Sequence, residues 1–94
     1  MKTHNFDYAY IGLTSARIGS QLKTDFKLEL TCSFRMDPSD GYAFVSLHQV
    51  SDLTCIKSFF LANFDSPQSF MDAVFAYCLE NDLFKQPLDI KLVD

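Results

Sequence analysis

Phe26-Lys27-Leu28-Glu29-Leu30-Thr31-Cys32-Ser33-Phe34-Arg35 alternates apolar and polar residues without a break. A side-chain period of two puts Phe26, Leu28, Leu30, Cys32 and Phe34 on one face. It puts Lys27, Glu29, Thr31, Ser33 and Arg35 on the other, which is the pattern of a strand with one face buried. The next stretch, Met36-Asp37-Pro38-Ser39-Asp40-Gly41, is dense in turn formers. Pro presets φ, Asp and Ser bond back to the backbone, and Gly admits positive φ. Tyr42 to Val50 returns to β-type composition, so residues 26–50 read as an antiparallel hairpin. Ser51-Asp52 marks a second turn. Thr54 to Phe64, apolar on both faces, reads as the third strand of a meander.

A helix follows. Asp65 or Ser66 suits the N-cap, and Pro67 suits the first turn, where a missing N–H costs nothing. The helix is expected over 66–82. Pro87 forbids its continuation, and Leu88-Asp89-Ile90-Lys91-Leu92 alternates again as a short final strand. Upstream, Phe6 to Leu13 suits a strand. Thr14 to Leu22 suits a short helix capped by Thr14 or Ser15 and weakened by Gly19, with a strand prolonged through Ile18 as its rival. The expectation is therefore a single α+β domain over residues 1–94. An antiparallel sheet of four to five strands (a meander plus the C-terminal strand) packs on one main helix, with a possible short N-terminal helix. Its expected core is Leu28, Leu30, Phe34, Val45, Leu47, Ile56, Phe60, Phe70, Val74, Tyr77 and Ile90.

The composition fits such a domain. Of 94 residues, 48% are hydrophobic and 21% charged, which excludes a disordered chain. Ten Phe and four Tyr supply large rings for a small core. Twelve acids against eight bases leave −4, which argues against direct nucleic-acid binding. Three cysteines, Cys32, Cys55 and Cys78, make an odd number with no C-x-x-C pair. A disulfide scaffold is not expected, and a reducing cytoplasm is. The first residues lack the apolar stretch of a secretory signal, and no apolar run approaches the ~20 residues of a membrane helix.

Catalytic signatures are not found. Each cysteine falls in an element expected to be buried, where a thiol behaves as a small hydrophobe and not as a nucleophile paired with His4 or His48. The cysteines and histidines lack the close spacing of a zinc site. Asp37 to Gly41 lacks the distal oxygens of a Ca²⁺ loop. There is no G-x-S-x-G, H-E-x-x-H or phosphate-binding glycine loop. No catalytic residue, cofactor or metal is expected, and the chain reads as a non-enzyme.

Two surfaces attract notice instead. If Ala43, Val45 and Leu47 face the core, then Tyr42, Phe44 and His48 share the outer face of the sheet with Glu29 and Arg35. Aromatic and charged groups together are what interface anchors often look like. On the helix, steps of about 100° group Phe70, Val74, Tyr77 and Cys78 as the core side. Phe75 and Leu79 fall near Asp72 on the nominal solvent side. The segment with Leu83 and Phe84, or the N-terminal segment, is expected to cover them; otherwise they form a second interface. Glu80 and Asp82 end the helix, where the macrodipole makes negative charge slightly unfavourable.

The leading expectation is a small acidic protein-binding module that inhibits a partner by occluding one of its surfaces. A basic, nucleic-acid-handling complex is the favoured partner. Anti-CRISPR and toxin-immunity inhibitors are similar in size, charge and order of elements, although no motif carries the likeness. The alternative is a homo-oligomeric structural or accessory subunit, with a homodimer as its simplest form, built on Phe75 and Leu79.

Overall fold

The computed structural model describes residues 8–33 and 42–85. Helix α1 spans Tyr8–Ser20, strand β1 Phe26–Ser33, β2 Tyr42–Gln49, β3 Cys55–Phe60 and helix α2 Pro67–Glu80. The architecture is α+β. The three described strands form one antiparallel sheet in the order β1-β2-β3. Both helices pack on one face of it. Gly19 of α1 lies over Leu28, with its added Cβ position 3.7 Å from the Leu28 Cβ. Tyr77 of α2 meets Phe59 of β3 edge-on, ring centroids 5.6 Å apart.

The alternation of β1 is realised as read. Phe26, Leu28 and Leu30 pack against the core while Lys27 and Glu29 are exposed. Leu28 pairs with Leu47 and Leu30 with Val45, so the two apolar sets share a face. Ala43, Val45, Leu47, Phe59 and Leu61 from the sheet side meet Ile11, Ile18, Phe70, Met71, Val74 and Cys78 from the helices.

Helix α2 begins as its sequence requires. Ser66 accepts a hydrogen bond from the Ser69 N–H at 3.1 Å, with Pro67 in the first turn. It closes with the Asp82 N–H on the Leu79 carbonyl at 3.2 Å and the Leu83 N–H on the Cys78 carbonyl at 3.0 Å. Asp82 sits at φ 57° between them, the left-handed turn of a Schellman cap. The acid at the helix end thus has a backbone reason, and its carboxylate lies 3.4 Å from Lys23.

Four expectations need correction. The segment expected as a strand over Phe6–Leu13 belongs from Tyr8 onward to α1. Its buried face is Ile11, Thr14, Ser15 and Ile18 at helical spacing, and two of those four are small polar residues that hide the apolar period. The Ser15 hydroxyl donates to the Met71 sulfur at 3.5 Å across the helix pair. The third strand stops at Phe60. A 3₁₀ turn, Leu61–Asn63, then sends Leu61 into the core. Within β3, Ile56 and Phe60 are exposed and Phe59 is buried. A register shift at Leu47/His48 inserts Ile56, and Phe60 pairs with Phe44 on the outer face. Finally, Cys32 and Cys55 are exposed, and only Cys78 is buried. The expected C-terminal strand at 88–92, Phe34 and Ile90 lie outside the described residues.

Among the described residues, no helix is long and apolar enough to cross a membrane.

Candidate functional site

The outer face of the sheet gathers side chains from all three strands. Antiparallel pairing sets Lys27 opposite His48, Glu29 opposite Ser46 and Thr31 opposite Phe44. It sets Phe44 opposite Phe60 and Ser46 opposite Ser58. Among the described elements, none packs over this face, because both helices occupy the other.

The face has two halves. At one end, Tyr42 stacks on Phe44 with ring centroids 6.2 Å apart. Phe44 meets Phe60 at 5.3 Å across the strands. These rings shield one another only in part: Tyr42 retains 54% and Phe60 46% of its accessible surface. At the other end, Glu29 Oε1 lies 3.5 Å from His48 Nε2, a diagonal contact between β1 and β2. Between the halves, the Ser46 and Ser58 hydroxyls lie 3.4 Å apart. The Ser58 hydroxyl is also 3.4 Å from the Cys55 sulfur.

Of the residues singled out in the sequence, Tyr42, Phe44, His48 and Glu29 thus come together on one face. Arg35 lies outside the described residues. Phe60, Ser46, Ser58 and Cys55 also line the face and were not assigned to it by sequence. For Phe60 the reason is the phase of β3: Phe59 takes the core face opposite Val45, so its neighbour Phe60 takes the outer face opposite Phe44. The pairing Phe44↔Phe60 is its only signal, and composition does not carry it.

The helix-side trio is arranged differently. Phe75 packs on Phe84 with centroids 5.2 Å apart, so the segment after α2 covers it. Asp72 is half-buried, and Leu79 is 51% exposed.

The β2–β3 turn projects a further apolar group. Leu53 is 71% exposed and held at φ 60°. The turn is closed by the Gln49 N–H on the Thr54 carbonyl at 2.9 Å and the Thr54 N–H on the Asp52 carboxylate at 3.0 Å. Hydrogen bonding from Thr54 holds the Asp52 carboxyl below the usual carboxylate range.

Burial pushes the Cys78 thiol up to about 11, so it is neutral at physiological pH. Among the described residues, no three His, Cys, Asp or Glu side chains converge as a metal site. The outer face offers recognition chemistry: flat apolar rings at one end, and an acceptor, an imidazole and hydroxyls at the other. No protein-family model, curated protein or solved structure matches this chain, so function has to be read from the geometry itself.

Proposed function

We propose that this protein is a small, non-enzymatic binding module whose outer sheet face contacts a partner protein and occludes a functional surface on it. The observation that carries this reading is the Tyr42–Phe44–Phe60 ring cluster, over which none of the described elements packs, on a sheet whose two described helices lie on the opposite side. A two-layer domain can leave one sheet face to water, and such faces are normally polar. Three contiguous aromatic rings on that face favour contact with a partner. Glu29, His48 and the serine pair supply the polar edge that such anchors need around them. The surplus of acids over bases, −4 in all, favours a basic partner and salt-sensitive encounter. A nucleic-acid-handling complex has a surface of that kind.

The test is quantitative co-purification from the native host lysate at low and moderate salt, with parent, Tyr42→Ala and Phe60→Ala chains. Removing a central ring is expected to cost at least ~2 kcal/mol of binding, roughly 30-fold in affinity. Recovery of one stoichiometric partner by the parent, weakened by salt and lost in the folded variants, supports the reading. Equal recovery by all three chains refutes it. The competing reading, a homo-oligomer through the helix face, draws on exposed Leu79. It predicts a dimer in solution that Leu79→Asp dissociates.

A further inference from the structure

The register shift between β2 and β3 brings a thiol to an imidazole. Continued unshifted from Ser46↔Ser58, the ladder would set Ile56 opposite His48; the shift at Leu47/His48 sets Cys55 there instead. Bulges re-aim side chains in this way. The Gln49 N–H donates to the Thr54 carbonyl at 2.9 Å. His48 and Cys55, one step along, are therefore a non-hydrogen-bonded pair, the kind whose side chains approach more closely. Cβ atoms of directly opposite residues lie about 4.5–5.5 Å apart. The thiol is on the outer side of the sheet, because its sulfur lies 3.4 Å from the Ser58 hydroxyl, itself 3.4 Å from the Ser46 hydroxyl. Cys55 is exposed, so a reagent can reach it.

The imidazole is held from its other side. β1 and β3 flank β2, so Glu29 of β1 and Cys55 of β3 approach His48 from opposite directions. Glu29 Oε1 lies 3.5 Å from His48 Nε2. A carboxylate there favours the tautomer with its proton on Nε2, which leaves Nδ1 to accept one. Thiol, imidazole and carboxylate thus stand in the order of nucleophile, base and orienting group. The other two thiols are placed differently. Cys32 stands opposite Ala43, and partial burial raises its pKa, while Cys78 is buried in the core.

We infer that Cys55 is a site of thiol–disulfide exchange, with His48 as general base, Glu29 as positioning residue and a small carboxylate-bearing disulfide, of the class of glutathione disulfide, as co-reactant. The Cys55 sulfur attacks one sulfur of the disulfide while His48 Nδ1 takes the thiol proton. The reagent's S–S bond breaks as the new one forms, and the leaving thiolate takes up the proton and departs as a free thiol. Cys55 is oxidised to a mixed disulfide, and half of the reagent is reduced. The event is a stoichiometric modification, not a turnover. Charge selects the reagent. Lys27 stands opposite His48 on the same face. Two strand spacings, about 10 Å, separate it from Cys55, so its ammonium can meet a carboxylate of the appended group. The inference does not depend on the partner proposed for the outer face.

The experiment incubates the full chain with glutathione disulfide near neutral pH and follows each cysteine by peptide mass over time. Cys55 is expected to gain the glutathione mass at least about tenfold faster than Cys32. His48→Ala should slow Cys55 by at least about tenfold and leave Cys32 unchanged. Added imidazole should restore the Cys55 rate in that variant, a rescue that a purely structural role of the ring does not give. Glu29→Gln should slow Cys55 by a smaller factor. Cystamine, with ammonium groups in place of carboxylates, should react more slowly than glutathione disulfide, and Lys27→Ala should remove that preference. Equal rates at Cys55 and Cys32 overturn the inference. So does a His48→Ala chain that keeps the parent's Cys55 rate, or one that imidazole does not rescue. Should His48→Ala fail to fold, His48→Gln and the parent's ratio of Cys55 to Cys32 rates decide the matter. No partner protein enters these measurements, so their failure is distinct from failure of the binding reading.

Discussion

Phe59 and Phe60 are adjacent in sequence and opposite in circumstance. Phe59 is 8% exposed and packs edge-on against Tyr77 beneath α2, while Phe60 is 46% exposed and rests on Phe44. One strand thus presents equal hydrophobes to a covered face and an open one. Apolarity alone does not separate the two, because strand pairing decides which ring a helix covers. Rings on the covered face hold the domain together. Rings on the outer face have none of the described elements packed over them.

Truncation should separate the two most sharply. Phe59→Ala is expected to lower unfolding stability by about 3–5 kcal/mol, from lost burial and the cavity left under α2. Phe60→Ala should cost under about 1 kcal/mol, the scale of one cross-strand pair. Urea unfolding of both variants checks this, and equal losses would erase the distinction. The cover can also be weakened without touching either ring. Ser66→Ala removes the cap of α2 and should cost about 1 kcal/mol. For a domain of this size that is a fall of about 4–8 °C in Tm by calorimetry.

Thiols give a milder probe of the same contrast. Cys55 on the open face and Cys32 at the end of β1 should react quickly with a thiol reagent under native conditions. Cys78 should react only through unfolding. Burial raises the Cys78 pKa from 9.0 to about 11. Its neutral form therefore contributes stability that is complete below about pH 9 and is lost as pH rises toward 11. A Cys78→Ala chain should show a shallower alkaline decline in Tm than the parent.

Legibility in the sequence followed the same physical lines. The β1–β2 hairpin was readable because one buried face imposes strict alternation, and α2 because Ser66 and Pro67 announce its start. The end of α2 was placed near Asp82 without its reason, since a Schellman cap on Asp82 is a backbone conformation that residue type does not announce. The second half of α1 was expected as a short helix from Thr14, while its first half was hidden because the buried Thr14 and Ser15 interrupt the apolar period and read instead as a helix cap. Of the candidate site, the Tyr42, Phe44, Glu29 and His48 face followed from alternation alone. The third ring, Phe60, required the phase of β3, which is set by pairing with β2 (Phe59 opposite Val45, Phe60 opposite Phe44) and has no local signature in a strand apolar on both faces.

The account turns on the open face serving recognition and not folding. Its most direct test is a Tyr42→Ala/Phe60→Ala double variant, compared with the parent for Tm and for partner recovered from host lysate. The account predicts a folded variant, each substitution costing no more than about 1 kcal/mol, and loss of the partner. A folded variant that recovers the partner as well as the parent does would contradict it, as would a parent chain that recovers no partner at all.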